Sequence, residues 1–523
     1  MVAAIDARFD SLFRPGASGA FLCPQIRFRF LAEQLTAKHP IAALWVVLRF
    51  TLDPSVSSPE LKRQRRRLRF ILQIAVSAAL GGFLFGYDTA VINGAVGAIG
   101  EVFQVSSSDL GRAVASALIG SAVGALAAGW LSDRIGRRHS MVVAAGLFLA
   151  SAIGSALAQS LTGLIVWRVI GGLGVGFASV LAPAYIAEVS PADHRGRLGS
   201  LQQLAIVVGI FLALLFDYAI VLFTPDRNPV SAVGPLAAWR WMLMSEVLPA
   251  TLYGVLVLGI PESPRYLVQK GLPERARLVI ERTLQEPAQQ VIARIQHSLA
   301  NTDHGRWTDL LDRKNLLLPV VWTGVMLAIF QQFVGINVIF YYSSVLWQAV
   351  GFSTTDSLIV TVITSVTNVV TTFVAILFID RIGRKPLLLI GSVVMTLTLG
   401  SMSWVFAGAA LVNGSPQLVG MAAVVALLAA NLFVFAFGFS WGPVMWVMLG
   451  EMFNNRIRAV ALGLCAMVNW IANWFIARTF PPLLEASGPA LAYGLYATAA
   501  AISFFLVLFF VRETSGKELE DMA

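Results

Sequence analysis

GWLSDRIGRR, residues 129–138, comes back later in the chain as ILFIDRIGRK, residues 376–385. In both copies an apolar run ends on an aspartate, Arg-Ile-Gly and two basic residues follow, and apolar sequence resumes. Two more pairs recur in the same order. Glu188 stands seven residues before Arg195 as Glu451 stands seven before Arg458, and PESPR at 261–265 is echoed by RETSG at 512–516. Charged motifs repeated in order between apolar runs mark an internal duplication.

The apolar runs say what was duplicated. Of 523 residues, 57% are hydrophobic and 13% charged, whereas soluble domains run near 25% charged. About twelve runs are long enough to cross a bilayer: roughly 70–95, 110–132, 140–159, 161–187, 199–223, 240–260, 315–349, 357–379, 386–411, 418–449, 457–478 and 489–511. The fold class expected is therefore all-α and polytopic, twelve transmembrane helices in two pseudo-symmetric six-helix bundles. The first bundle covers 69–260 and the second 315–511. Between them 261–314 is a polar cytoplasmic linker, in which ERARLVIERTLQ and QQVIARIQHSL read as short amphipathic helices. Residues 512–523 form a tail.

Net charge is +9, but the positive residues fall in alternate loops: 62–69, 134–138, Arg195 with Arg197, 262–314, 381–385, and Arg456 with Arg458. The loops near 160, 353, 413 and 487 carry none. That alternation is the positive-inside pattern, so both termini are expected in the cytoplasm and nucleic acid is not an expected partner. Residues 1–68 contain one short apolar run, IAALWVV, too short to span, and no evident secretory signal. They read as a disordered extension or an artefact of the assumed start codon. The two cysteines, Cys23 in that extension and Cys465 within a span, are not expected to pair. With no metal cluster, nucleophile–base motif or nucleotide-binding loop, no enzyme activity, metal or cofactor is expected.

Polar residues inside the spans carry the chemistry. Asp88 lies in GGFLFGYDTAVING (81–94) and Arg168 in the fourth span. A charge at mid-membrane costs about 2.5–3.5 kcal/mol on insertion scales, and a buried arginine needs an anion, for which Asp88 is the candidate. Amides are also scarce in the spans: Gln203, Gln331, Gln332, Asn337, Asn368 and Asn469. Each offers a donor and an acceptor without charge, which suits either interhelical bonding or a neutral polyhydroxylated ligand. At 100° per residue, Gln331, Gln332 and Asn337 do not share one stripe of a straight helix. The seventh span is therefore either interrupted near Gly335 or presents a wide face.

The ensemble GYD (86–88), DRIGRR (133–138), RVIGGLGVG (168–176), PAYIAEVSPADHRG (183–196), PESPR, QQFVGINVIFYY (331–342), DRIGRK (380–385), SWGPVMWVMLGEMF (440–453) and RETSG resembles the sugar porters of the major facilitator superfamily. The resemblance covers roughly 69–516 and extends to proton-coupled xylose and glucose symporters and to animal glucose facilitators. It implies a monosaccharide carrier working by alternating access as a monomer in the plasma (inner) membrane, with lipid, sugar and protons as its partners. The six amides fall on family sugar-binding positions, and Phe85, Tyr341, Tyr342, Gly442 and Trp446 on neighbouring pocket positions. Proton-coupled members carry aspartate at the Asp88 position where facilitators carry asparagine. Arg168 matches its partner and Glu246 a further family acid. A permanent structural ion pair is the alternative reading. Asn469 departs from the xylose branch, which has glutamine there, and favours glucose. The loop charges Asp133, Arg137, Arg138, Glu188, Arg195 and Glu262, and Asp380, Arg384, Glu451, Arg458 and Glu513, read either as topology anchors or as a cytoplasmic gate. In the gate reading Asp133 joins Arg195 and Glu262, and Asp380 joins Arg458 and Glu513. Rival functions are an uncoupled facilitator and a non-transporting sugar sensor.

Overall fold

The computed structural model describes residues 59–189, 195–283, 286–300, 307–312, 316–412, 415–453 and 457–513. The chain divides after Leu72; the described part of the first unit is the helical run 59–72, and residues 73–523 form the second. Among the described residues eleven helical stretches are long and apolar enough to cross a membrane. The last is double. The helix Arg458–Phe510 is 53 residues long, about 80 Å at 1.5 Å per residue, against a hydrocarbon core of about 30 Å. It folds at Gly488 (φ 70°), among Pro481, Pro482 and Pro489, which gives the expected twelve crossings. This is a multi-pass membrane protein.

In chain order the first half comprises α1 (Pro59–Ala90), α2 (Ile92–Phe103), α3 (Ser107–Ile135), α4 (Arg137–Leu157), α5 (Leu161–Val189), α6 (Arg195–Leu222), α7 (Ala238–Met244) and α8 (Val247–Leu258). The linker holds α9 (Pro264–Gln269), α10 (Pro273–Thr283) and α11 (Ala288–Ala300). Then come α12 (Pro319–Phe333), α13 (Ile336–Ala349), α14 (Thr354–Ile382), α15 (Arg384–Ala407), α16 (Met421–Phe439), α17 (Trp441–Met452) and α18 (Arg458–Phe510). Two short hairpins, Ala232–Val233 with Leu236–Ala237 and Ala410–Val412 with Ser415–Gln417, decorate loops.

Small residues bring the helices together, since in lipid no hydrophobic force separates them from the tails. Gly120 and Gly124 on α3 face Gly172 and Gly176 on α5 so closely that a Cβ on any of them would meet the opposite backbone. Among the described residues the most extensive contacts between the halves are α3 with α18, α6 with α14, and α2 with α13. Large apolar side chains such as Trp404 (79% exposed) and Leu428 (66%) stand outward along the spans. In the linker, Leu267, Val268, Ala276, Val279, Ile280, Ala288 and Val291 bury a small core of their own, as amphipathic helices require.

Among the described residues four crossings consist of two helices each, the first and sixth with helical backbone angles kept at the junction. The first breaks at Val91, the sixth at Ser245–Glu246, the seventh at Val334–Gly335 and the tenth at Ser440. Of the two readings left open for the seventh span, an interruption near Gly335 or a wide face, the helix bounds give the interruption. Gly335 has φ +80°, a left-handed conformation that costs a residue with a Cβ roughly 1–2 kcal/mol.

Candidate functional site

The breaks gather the polar residues. Asp88 is 0% exposed and Arg168 and Glu246 are 2% exposed each. Arg168 Nη1 donates to Asp88 Oδ1 at 3.1 Å and to the Asp88 carbonyl at 3.0 Å. Glu246, in the break between α7 and α8, lies within electrostatic reach of both the Asp88 carboxyl and the Arg168 guanidinium. Asp88 Oδ2, Glu246 Oε1 and Arg168 Nε are buried without a hydrogen-bond partner. Two carboxyls therefore share one guanidinium away from water. Uncompensated buried charge is expensive enough that a group takes up a proton instead, so one proton on this pair balances the site.

A second cluster forms in the other half around α12, α13 and α18. Gln332 is its hub: Nε2 donates to Gln331 Oε1 at 3.2 Å and to Asn469 Oδ1 at 3.0 Å, and Oε1 accepts from Asn337 Nδ2 at 2.6 Å. Asn469 Nδ2 donates to Gln331 Oε1 at 2.7 Å and to the Ala328 carbonyl at 2.9 Å. Gln331 Nε2 reaches the carbonyls of Trp441 at 3.2 Å and Gly442 at 3.5 Å beside the break in the tenth crossing. Four predicted amides are thus brought together. Tyr341 and Tyr342 follow on α13, with Tyr341 Oη accepting from Asn473 Nδ2 at 3.2 Å and Tyr342 Oη donating to the Ala477 carbonyl at 2.7 Å.

The remaining predicted positions are not joined to that cluster. Gln203 is half-buried on α6 and Asn368 is buried on α14, against Gly438. Trp446 is 40% exposed on α17. Phe85 meets Trp470 across the halves, ring centroids 5.5 Å apart. Sequence reasoning missed Trp470, Asn473 and Asn93. Asn93 clasps the halves: its Nδ2 donates to the Phe340 carbonyl at 2.9 Å and to Ser343 Oγ at 3.2 Å. Its Oδ1 accepts from Ser344 N–H at 3.2 Å, and its carbonyl from Ser344 Oγ at 2.7 Å. An amide inside the apolar stretch TAVING was the available signal.

On the face bearing the repeated basic loops, the two halves repeat a structure as well as a sequence. Gly136 and Gly383 share φ values of 97° and 94°. Behind each, a carboxylate accepts the first amides of a helix. Glu262 Oε1 takes Arg137 N–H at 2.9 Å and Arg138 N–H at 3.2 Å, while Glu513 takes Arg384 N–H at 3.0 Å and Lys385 N–H at 2.9 Å. An anion at a helix N-terminus satisfies orphan donors and meets the favourable end of the dipole. Arg137 also pairs with Asp133 at 2.9 Å and Glu188 at 3.2 Å, Ser263 Oγ donates to Glu188, and Arg384 pairs with Glu451 at 3.0 Å. Asp133 meets Arg137 across the junction of α3 and α4, Glu262 accepts the backbone amides of Arg137 and Arg138, and Arg458 donates to the Phe453 carbonyl. The side chains of Arg195 and Asp380 lie outside the described residues, as does Cys23. Cys465 is free and buried.

Comparison with known proteins places this geometry. The family model described as "Sugar (and other) transporter" matches residues 74–523. The chain is 56% identical over 471 residues to a glucose transport protein of Synechocystis sp., covering 90% of this chain and 100% of the relative. It is 39% identical over 489 residues to the D-xylose-proton symporter of Escherichia coli (strain K12), covering 87% and 95%. An inward-open structure of the E. coli xylose transporter superposes with a TM-score of 0.74 at 37% identity, over 87% of this chain and 99% of that one.

Proposed function

This chain belongs to the sugar (and other) transporter family, and on that footing we propose that it imports a monosaccharide, a hexose such as glucose, together with a proton by alternating access. The observation that carries the coupling is the buried Asp88–Arg168 pair with Glu246 against it. The similarity to a glucose transport protein supports the hexose, and that to a proton symporter supports the coupling.

The two bundles, 69–260 and 315–511, rock about a sugar held between them. Gln331, Gln332, Asn337 and Asn469, with Gln203 and Asn368 from the facing helices, exchange hydrogen bonds with its hydroxyls. Phe85, Tyr341, Tyr342 and Trp446 pack its apolar face, and Gly442 leaves the room. A proton arriving on the Asp88–Glu246 pair weakens the hold on Arg168 and frees the loaded halves to move. Losing it on the inner side restores the pair. One charge crossing 100 mV supplies about 2.3 kcal/mol, roughly 50-fold accumulation at about 1.4 kcal/mol per tenfold.

The basic loops and both termini face the cytoplasm across the inner membrane, the linker 261–314 lies on that side, and the carrier works as a monomer. The Asn93 clasp then closes the outer face. Glu262 and Glu513, with the arginines they cap, act as a cytoplasmic gate that biases two near-equal states; exposed ion pairs contribute under about 1 kcal/mol each. The test is uptake of labelled glucose into proteoliposomes under an imposed inward proton gradient. Accumulation above the outside concentration, abolished by an uncoupler, is the expected result. Equilibration alone would leave an uncoupled facilitator.

A further inference from the structure

Asp217 belongs to none of the motifs above. It sits in LALLFDYAI (212–220) toward the end of α6 and is 0% exposed. Oδ2 accepts the Gly94 N–H at 3.1 Å, and Oδ1 has no partner. Gly94 is the third residue of α2, whose N-cap Val91 supplies no side-chain cap. A Cβ at position 94 would lie 2.8 Å from the Asp217 Cβ, Cγ and Oδ2, so only glycine admits the contact. Asp217 thus caps α2 from a neighbouring helix, inserted where the first crossing breaks, as an inserted side chain does at helix kinks.

The groups facing it are few. From α1 comes Tyr87, within electrostatic reach of both Asp217 and Glu246; its hydroxyl is 2.6 Å from Ser245 Oγ, the residue before Glu246. From α2 comes the Gly94 amide. Among the described residues no cation on α1, α2, α5, α7 or α14 acts on Asp217, and Arg168 on α5 is bonded to Asp88. Asp88, Glu246 and Asp217 are three carboxyls at most 2% exposed, and the equally buried Arg168 acts on the first two. One proton balances the Asp88–Glu246–Arg168 group; Asp217 needs its own.

We propose that Asp217 is a second proton-binding carboxyl of this carrier, loaded and emptied during the cycle, whose state the first crossing reads through Gly94. The step is a simple protonation of carboxylate to acid. An ionised acceptor holds an N–H about twice as strongly as a neutral one, so loading loosens the bond on the first turn of α2. The neighbouring residue is Asn93, which clasps the halves. Loading therefore favours opening of the outer face, and emptying favours closure. Its place in the cycle rests on the proton-coupled reading above; its binding of a proton does not.

The test treats the full chain in proteoliposomes with dicyclohexylcarbodiimide, which attacks protonated carboxyls in apolar surroundings, between pH 6 and pH 9. Adducts at Asp217, Asp88 and Glu246 are read by mass spectrometry in the same digests. An Asp217 adduct that falls by about tenfold or more as pH rises is expected. Asp217→Asn imitates the loaded form and keeps the Gly94 acceptor. Its net glucose uptake, normalised to its own counterflow, should lose at least about half of the parent's response to outside acidification. Adducts at Asp88 or Glu246 with none at Asp217, an Asp217 adduct indifferent to pH, or a parental pH profile in Asp217→Asn would overturn the proposal. If Asp217→Asn does not transport at all, the labelling of the parent decides. A pH-dependent Asp217 adduct in a carrier that moves glucose without protons would sink the symport reading and leave the second proton site standing.

Discussion

Replacing Asn93 by alanine removes three side-chain hydrogen bonds between the halves: to the Phe340 carbonyl, to Ser343 Oγ and from Ser344 N–H. The fourth bond, from Ser344 Oγ to the Asn93 carbonyl at 2.7 Å, is backbone and survives. Interhelical hydrogen bonds within membranes average about 0.6 kcal/mol each, so the clasped form should lose about 2 kcal/mol. At about 1.4 kcal/mol per tenfold, the ratio of outward-open to outward-closed carriers should rise roughly 20- to 30-fold. Spin labels at Val102 on α2 and Gln348 on α13, in a chain whose two native cysteines are replaced, would report the separation by pulsed electron resonance. The parent should give mainly the short distance. Asn93→Ala should add a longer one at a several-fold greater share. An unchanged distance distribution would show that these bonds do not hold the outer face shut.

Other expectations follow from the same geometry. Gln332→Ala deletes the hub of the amide cluster and should raise the glucose KM in counterflow by about tenfold or more, the worth of one to two hydrogen bonds; an unchanged KM would move the pocket elsewhere. Gly335→Ala forces a Cβ into a left-handed position against the Tyr496 ring and should lower the thermal midpoint by a few degrees. Gly97→Ala, whose Cβ would meet nothing within 4 Å, should leave the midpoint unchanged or slightly higher. Glu262→Ala strands the amides of Arg137 and Arg138, costing about 1–2 kcal/mol, whereas Glu262→Gln, which keeps an acceptor, should recover most of that loss in the same melting assay.

How much of this was legible beforehand depended on the kind of signal. Hydropathy and the repeated loops fixed the crossings because both act over whole segments. The interruption at Gly335 was one of two readings left open, because three polar residues that do not share one stripe of a straight helix imply either a break or a wide face. Pairing was less accessible. Glu262 was grouped with Asp133, and what the residues did not say is that its carboxylate accepts the backbone amides of Arg137 and Arg138, 125 and 124 residues away in the chain, a bond set by how two helix ends approach. Asn93 and Asp217 carried the same mark as Asp88, a polar residue inside an apolar run, but neither falls in a motif. Only the packing of α2 against α13 and α6 gives them roles. Trp470 and Asn473 sit in the crossing that holds Asn469, and nothing in an aromatic or a lone amide there says which neighbour it meets.

The coupling claim rests on Asp88, and one comparison addresses it directly: glucose-driven proton uptake in proteoliposomes, parent against Asp88→Asn. The account predicts external alkalinisation on adding glucose to the parent, and none with Asp88→Asn while its glucose counterflow persists. Glucose movement in the parent with no pH change would contradict it, and the Asp88–Arg168 pair would then be a fixed structural bond in an uncoupled carrier.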